Sequence, residues 1–200
     1  MSGFFSNVAL QPANPILGLA NECKLDPFAE KINLTIGAYR TEFGLPMVLE
    51  TVRAAEEEIL KEKLDHEYLG QDGLVEFTSA AKKLMFGDDS KLISEDKIYS
   101  IQSIGGTGCL RLLCSFLKTV MPDSVCYIPD TTWPNHPVVL KASGITIAKY
   151  RYLDDSGCAL NFASMLEDLQ SAPEGSIVLL HSCAHNPTGV DPTESQVVYH

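Results

Sequence analysis

The stretch from His181 to Asp191, His-Ser-Cys-Ala-His-Asn-Pro-Thr-Gly-Val-Asp, follows the apolar run Ile177-Val178-Leu179-Leu180 with more polar chemistry than a turn requires. Pro187 pushes Asn186 into extended backbone and Gly189 permits the reversal that follows, so the Asn186 carboxamide is held where it can donate to a ligand oxygen; an Asx-Pro turn is the other reading. His181 and His185 stand four apart like a metal pair, but Pro187 stops a helix from continuing, so they share no helical face and no metal is expected. A second stretch, Gly105-Gly106-Thr107-Gly108, lies between an apolar segment and a helical pattern. Its glycines let backbone N–H groups point outward, and the positive end of a helix favours an anion such as phosphate; a ligand-free strand-to-helix turn has the same residues. No Lys-Ser/Thr follows and the Gly-x-Gly-x-x-Gly spacing is absent, so this is neither a nucleotide P-loop nor a dinucleotide fingerprint. The third stretch, Thr132 to Pro137, carries Trp133, the one tryptophan of the chain. Its flat face suits stacking on a planar cofactor, with core packing or loop anchoring as alternatives.

The elements that must position these residues follow from periodicity. Apolar spacing and charge order predict helices over 50–64, 73–87, 109–121, around 137–142, and over 159–170. Short apolar or alternating runs predict strands over 32–36, 97–104, 125–128, 145–150 and 176–181. From residue 97 onward, strand and helix alternate. That order predicts an α/β fold of three layers, a mostly parallel sheet with helices on both faces. Ligands of such folds sit at the carboxyl ends of the strands, and all three stretches follow a predicted strand. Residues 1 to 30, with Pro12, Pro15 and Pro27, read as an extended arm with short helical pieces.

Composition narrows the function. A chain of 200 residues that is 45% hydrophobic and 20% charged buries a core rather than staying disordered. Its net charge of −11 repels polyanions, so no nucleic-acid partner is expected. No apolar run approaches about 18 residues, so no membrane association is expected either. The six cysteines form no Cys-x-x-Cys pair and most sit in apolar segments, which suits a reducing compartment. Neither a secretory nor a transit pattern opens the chain, and a cytoplasmic location is the expectation.

In order and spacing, Pro15-Ile16-Leu17-Gly18-Leu19, Asn33 to Arg40, Glu67-Tyr68-Leu69, Gly106-Thr107-Gly108, Trp133-Pro134-Asn135-His136 and His185 to Pro192 resemble the signatures of the fold-type I pyridoxal-phosphate aminotransferases, and of the aspartate aminotransferases in particular. The resemblance runs from about residue 15 to 196. It implies pyridoxal 5'-phosphate as cofactor, with Gly105, Gly106 and Thr107 at its phosphate, Trp133 on its ring, Asn186 at its ring hydroxyl, and His136 behind the acidic partner of the ring nitrogen. Tyr68 would reach the phosphate of a neighbouring subunit, which implies a homodimer. Ile16, Leu17, Gly37, Trp133 and Asn186 would line the substrate side. The implied reaction moves an amino group between L-aspartate and 2-oxoglutarate, giving oxaloacetate and L-glutamate, with aromatic amino acids as the rival substrates on the same fold.

The same resemblance divides the chain into an N-terminal dimer arm (1–12), part of a small domain (13–46) and the N-terminal part of the large cofactor domain (47–200). The Schiff-base lysine of the family belongs to a Ser-x-Ser-Lys segment downstream of Asn-Pro-Thr-Gly, and no catalytic residue of that kind is found in these 200 residues. Nor are the acidic partner of the ring nitrogen and the arginines for substrate carboxylates. The expectation is an N-terminal portion, inactive by itself, or else a non-catalytic protein that pairs with a full-length subunit. Smaller departures are Gly105 at a position where many relatives carry a hydroxyl, Asn14 before Pro15-Ile16, Gly70-Gln71-Asp72 in place of a Pro-containing turn, and the ending Val197-Val198-Tyr199-His200, which is expected to come from a truncated gene model or an alternative transcript.

Overall fold

The computed structural model describes residues 3–9 and 15–197. The expected arm is therefore covered over residues 3–9, where Val8 N–H closes a turn on the Phe5 carbonyl at 3.0 Å. The rest of the arm, Asn14 and residues 198–200 lie outside the described residues. Contacts gather the chain into two units, up to Glu67 and from Tyr68 onward.

The first unit holds α1 (Pro15–Leu25) and α2 (Glu50–Glu62). Glu50 in the first turn of α2 and Lys61 in the last match the helix dipole, and Lys63 ends it in the left-handed region at φ 50°. No residue of α2 is buried. Its surface pairs, Arg53–Glu56 at 2.8 Å and Lys61–Glu58 at 3.6 Å, are exposed and contribute little. The strand expected over 32–36 does not form. Asn33 is the reason: its Oδ1 accepts the N–H and the hydroxyl of Thr35 at 3.0 and 2.7 Å, which turns the backbone where a ladder would have run.

The second unit contains α3 (Val75–Phe86), α4 (Lys91–Ser94), α5 (Gly105–Val120), β1 (Val125–Pro129), α6 (Asn135–Ala142), β2 (Thr146–Tyr150), α7 (Phe162–Gln170), β3 (Ile177–Val178) and α8 (Glu194–Val197). The three strands form one parallel sheet in the order β2-β1-β3. Alternation along β1 divides its side chains between two cores. Cys126 and Ile128 join Cys114 of α5, Val139 and Leu140 of α6, and Ile145 on one face. Tyr127 points the other way, into a cluster of Tyr150, Tyr152 and Met165 of α7. Helices thus cover both faces, and the expected three layers are present.

Several boundaries differ from the sequence reading. Residues 97–103 are extended but unpaired: the sheet brings them no neighbour, and Gln102 bonds sideways instead, its N–H to the Asp72 carbonyl at 3.0 Å and its Oε1 to Leu74 N–H at 2.8 Å. Helix α5 starts at Gly105 rather than Cys109, so the glycines form its first turn instead of preceding it. Helix α7 starts at Phe162 rather than 159 because Asn161 caps it, accepting Ser164 N–H at 3.1 Å. Strand β3 is shorter than 176–181, although Leu179 N–H still reaches the Tyr127 carbonyl at 2.9 Å.

Candidate functional site

Helix α5 shares a core with β1 through Leu110, Cys114 and Leu117 and is joined to it by the short turn 121–124. The two therefore run in opposite directions. This brings the N-terminus of α5 to the end of the sheet where β1 finishes, and there the loops after β1 and β3 also emerge. No side chain caps that helix end, Gly105 sits at φ 60°, and the space a side chain would fill at Gly106 is open. The first N–H groups of a 16-residue helix are thus available to an anion. The Thr107 side chain is exposed beside them.

The loop after β1 runs into α6, whose first turn tolerates Pro137 and carries His136. The His136 ring meets Trp133 edge-on at 5.3 Å and His181, from the loop after β3, edge-on at 5.0 Å. Thr132 joins the two imidazoles: its Oγ1 is 2.8 Å from His136 Nδ1 and 3.0 Å from His181 Nε2. Asn186 N–H donates to His181 Nδ1 at 3.2 Å. Because that nitrogen accepts, the proton of a neutral His181 sits on Nε2 and is donated to Thr132, whose own hydroxyl hydrogen then goes to His136 Nδ1. Every member of the chain Asn186–His181–Thr132–His136 has one assigned direction. Its last free donor is His136 Nε2–H.

Beneath this chain the 181–191 loop is braced from several sides. The Asp191 carboxylate accepts Ala184 N–H at 2.7 Å and His185 N–H at 2.8 Å. Tyr152 donates its hydroxyl to the Val190 carbonyl at 2.7 Å, and Tyr150 donates to the Leu179 carbonyl at 2.9 Å. The Asn186–Pro187 peptide is cis, and Gly189 reverses the chain at φ 66°. His185, 2% exposed, lies between the Tyr152 ring at 3.9 Å and the His181 ring at 4.0 Å, both nearly parallel to it.

Burial disfavours the charged form of each ring. Burial lowers the pKa of His136, with His181 adding to the effect, and burial lowers His181 against the opposing pull of Asp191. At His185 burial, reinforced by His181, brings the value down to about 4. The backbone N–H groups of His185 and Ala184 hold the Asp191 carboxyl below its ordinary value.

Of the residues singled out from sequence, Trp133, His136 and Asn186 are drawn into one cluster by these contacts. Gly105, Gly106 and Thr107 stand at the same end of the sheet. Tyr68 opens the second unit with its side chain 96% exposed. Ile16, Leu17 and Gly37 belong to the first unit and are exposed there. Thr132, Tyr152 and Asp191 were given no role from sequence. Asp191 is the most legible of them, a carboxylate close behind a proline-fixed reversal. Thr132 meets a histidine 49 residues away, a pairing that no local pattern encodes.

Comparison with known proteins identifies the family. The aminotransferase class I and II family profile matches residues 29–199. The chain belongs to that family. It is 44% identical over 196 residues to a cytoplasmic aspartate aminotransferase, isozyme 2, of Arabidopsis thaliana, covering 98% of this chain and 48% of that protein. Against the mitochondrial aspartate aminotransferase of Gallus gallus the identity is 41%, covering 98% and 46%. Among solved structures, the aspartate aminotransferase from Saccharomyces cerevisiae cytoplasm superposes with a TM-score of 0.90 at 42% identity, covering 98% of this chain and 48% of that one. The aromatic-amino-acid aminotransferase from Burkholderia pseudomallei, solved covalently bound to pyridoxal phosphate, gives 0.92 at 38%, covering 97% and 49%. These class I and II aminotransferases share the fold-type I architecture with this chain. The chain spans about half the length of the curated relatives it matches.

Proposed function

We propose that the chain carries the ring-and-phosphate grip for pyridoxal 5'-phosphate of an aspartate aminotransferase. The supporting observation is the convergence, at one end of one sheet, of an uncapped helix N-terminus, an indole and an exposed carboxamide whose backbone is tied to a half-buried histidine chain. The donor set fits the group. Gly106 and Thr107 N–H groups and the Thr107 hydroxyl would hold the phosphate, Trp133 would pack on the ring, and Asn186 Nδ2 would donate to the ring hydroxyl oxygen. The Asn186–His181–Thr132–His136 chain fixes His136 so that its Nε2–H faces outward as a donor to an acidic group. When bound, the cofactor supplies the electron sink that lets an amino group move between L-aspartate and 2-oxoglutarate. Tyr68 serves a neighbouring subunit in a homodimer, and Ile16, Leu17 and Gly37 line the substrate side.

These 200 residues include no Ser-x-Ser-Lys segment, so the 200-residue polypeptide purified by itself shows no transamination in this reading. Aromatic amino-acid specificity is the second substrate reading, favoured by structures such as the Burkholderia enzyme. A cytoplasmic location is supported by cytoplasmic relatives, and organelle import assays test it against the mitochondrial and chloroplast ones.

Titration with pyridoxal phosphate tests the grip. Trp133 is the one indole, so its fluorescence quenches as the ring docks. Thr107→Ala and Asn186→Ala each weaken binding by about ten- to a hundredfold, the size of one hydrogen bond to a charged oxygen. Absence of quenching, or quenching untouched by both substitutions, would overturn the assignment.

A further inference from the structure

Among the described residues His185 is the one polar side chain that is buried, and its Nε2 has no hydrogen-bond partner there. In the reading above it touches no part of the cofactor. Its geometry is nevertheless pinned at two points, one of them braced from behind. The backbone N–H is held by Asp191 Oδ1 at 2.8 Å, Nδ1 lies 2.9 Å from Thr188 Oγ1, and that hydroxyl oxygen is in turn held by Val190 N–H at 3.1 Å. Tyr152, anchored through its own hydroxyl to Val190, backs one face of the ring, and His181 rests on the other. His181 is otherwise held at its two ring nitrogens and by the edge-on His136 ring. Its two nitrogens must stay in line with Asn186 N–H on one side and Thr132 Oγ1 on the other, and a small rotation breaks both bonds.

We infer that His185 is a positioning residue: a pinned flat plate between Tyr152 and His181 that holds the His181 ring in the plane from which it joins Asn186 to Thr132. Its imidazole acts through His181 and transfers no proton. What it ultimately positions, the Asn186 carboxamide and His136, rests on the cofactor reading above.

The test separates flatness from volume. His185→Leu fills the site without a flat face, and His185→Phe keeps a ring without polar atoms. Long-range ¹H–¹⁵N spectra of the histidine side chains read the His181 tautomer directly. In the parent chain and in H185F His181 carries its proton on Nε2; in H185L both tautomers are populated. Quenching of Trp133 by pyridoxal phosphate weakens by about tenfold in H185L and by less than about threefold in H185F, the range expected when neighbours act as a unit. An unchanged His181 tautomer in H185L, an equal disturbance in both variants, or failure of H185F to fold would overturn the inference. If the parent chain shows no quenching, the cofactor reading fails, while the tautomer comparison still decides the role of His185.

Discussion

His185 is the side chain through which mild acid reaches this loop. An unfolded histidine takes up its proton near pH 6.5, whereas the buried ring resists protonation down to about 4. Between those values the unfolded state binds the extra proton, so stability is full above pH 6.5, falls as the pH drops toward 4, and levels off below. The loss from this residue is on the order of 3 kcal/mol. Phe takes up no proton, so relative to H185F the urea midpoint of the parent chain should drop as the pH falls from 6.5 to 4 and the two should keep a constant difference above pH 7; parallel curves throughout would contradict the buried, neutral ring. Asp191 has the ordinary carboxylate behaviour. Its two backbone bonds are intact above the usual carboxyl range and are lost as the pH falls through its lowered value. Thr132→Val cuts the chain between the imidazoles and leaves His181 Nε2–H and His136 Nδ1 without their partner, at a cost of about 1–3 kcal/mol in chemical denaturation. At this scale the sequence reading singled out residues by type, and the fold brings Trp133 and Asn186 of that set into one cluster. It missed those whose role is geometric. A threonine before a tryptophan and a tyrosine after a strand are common, and what distinguishes Thr132 and Tyr152 is the partner that the folded chain delivers to them.

Elements were legible in proportion to how much of their stabilisation is local. Helices α2, α3, α6 and α7 lie within a few residues of their predicted positions because local signals mark them, charge order in α2 and α3 and the Asn161 cap in α7 among them. Residues 97–103 have the composition of a strand but pair with nothing among the described residues, since a strand is a property of two chains and composition specifies one. The glycine stretch was placed before the helix, as a strand-to-helix turn, for a related reason. Propensity places Gly outside helices, yet at the head of α5 the unpaired N–H groups cost little and Gly105 supplies a φ of 60°. Gly105→Ala is accordingly expected to destabilise by about 1 kcal/mol through backbone strain, read from a thermal or urea midpoint. In the sheet the largest single loss should come from Ile128→Ala. Ile128 is 1% exposed and packs against both α5 and α6, so removing it costs about 2–5 kcal/mol. A midpoint unchanged by I128A would mean that the sheet is not the core of the second unit.

Across the whole molecule burial is uneven. All nine buried hydrophobic side chains of the described residues, from Cys114 to Met165, belong to the second unit, and none belongs to the first. Trypsin should therefore cut first near Lys61 and Lys63, at the end of α2, and leave a longer-lived fragment that starts close to Tyr68; mass spectrometry of the time course would identify it. Early cleavage inside residues 125–150 would contradict this order of stability. No described helix is long and apolar enough to cross a membrane. Exposed apolar side chains are nonetheless numerous, including Phe77, Leu84 and Met85 along α3, whose predicted apolar face remains uncovered among the described residues. Concentration-dependent self-association in sedimentation is the expected result.

The division of β1 between two cores limits how its gene segment can change. Substitutions at Cys126 or Ile128 are felt by α5 and α6, and those at Tyr127 by α7, so each side can drift in composition independently of the other. Length cannot drift. One inserted codon between residues 126 and 128 would send every later side chain of the strand to the opposite layer, exchanging small aliphatic contacts for a phenol, so this segment should accept point changes but no indels.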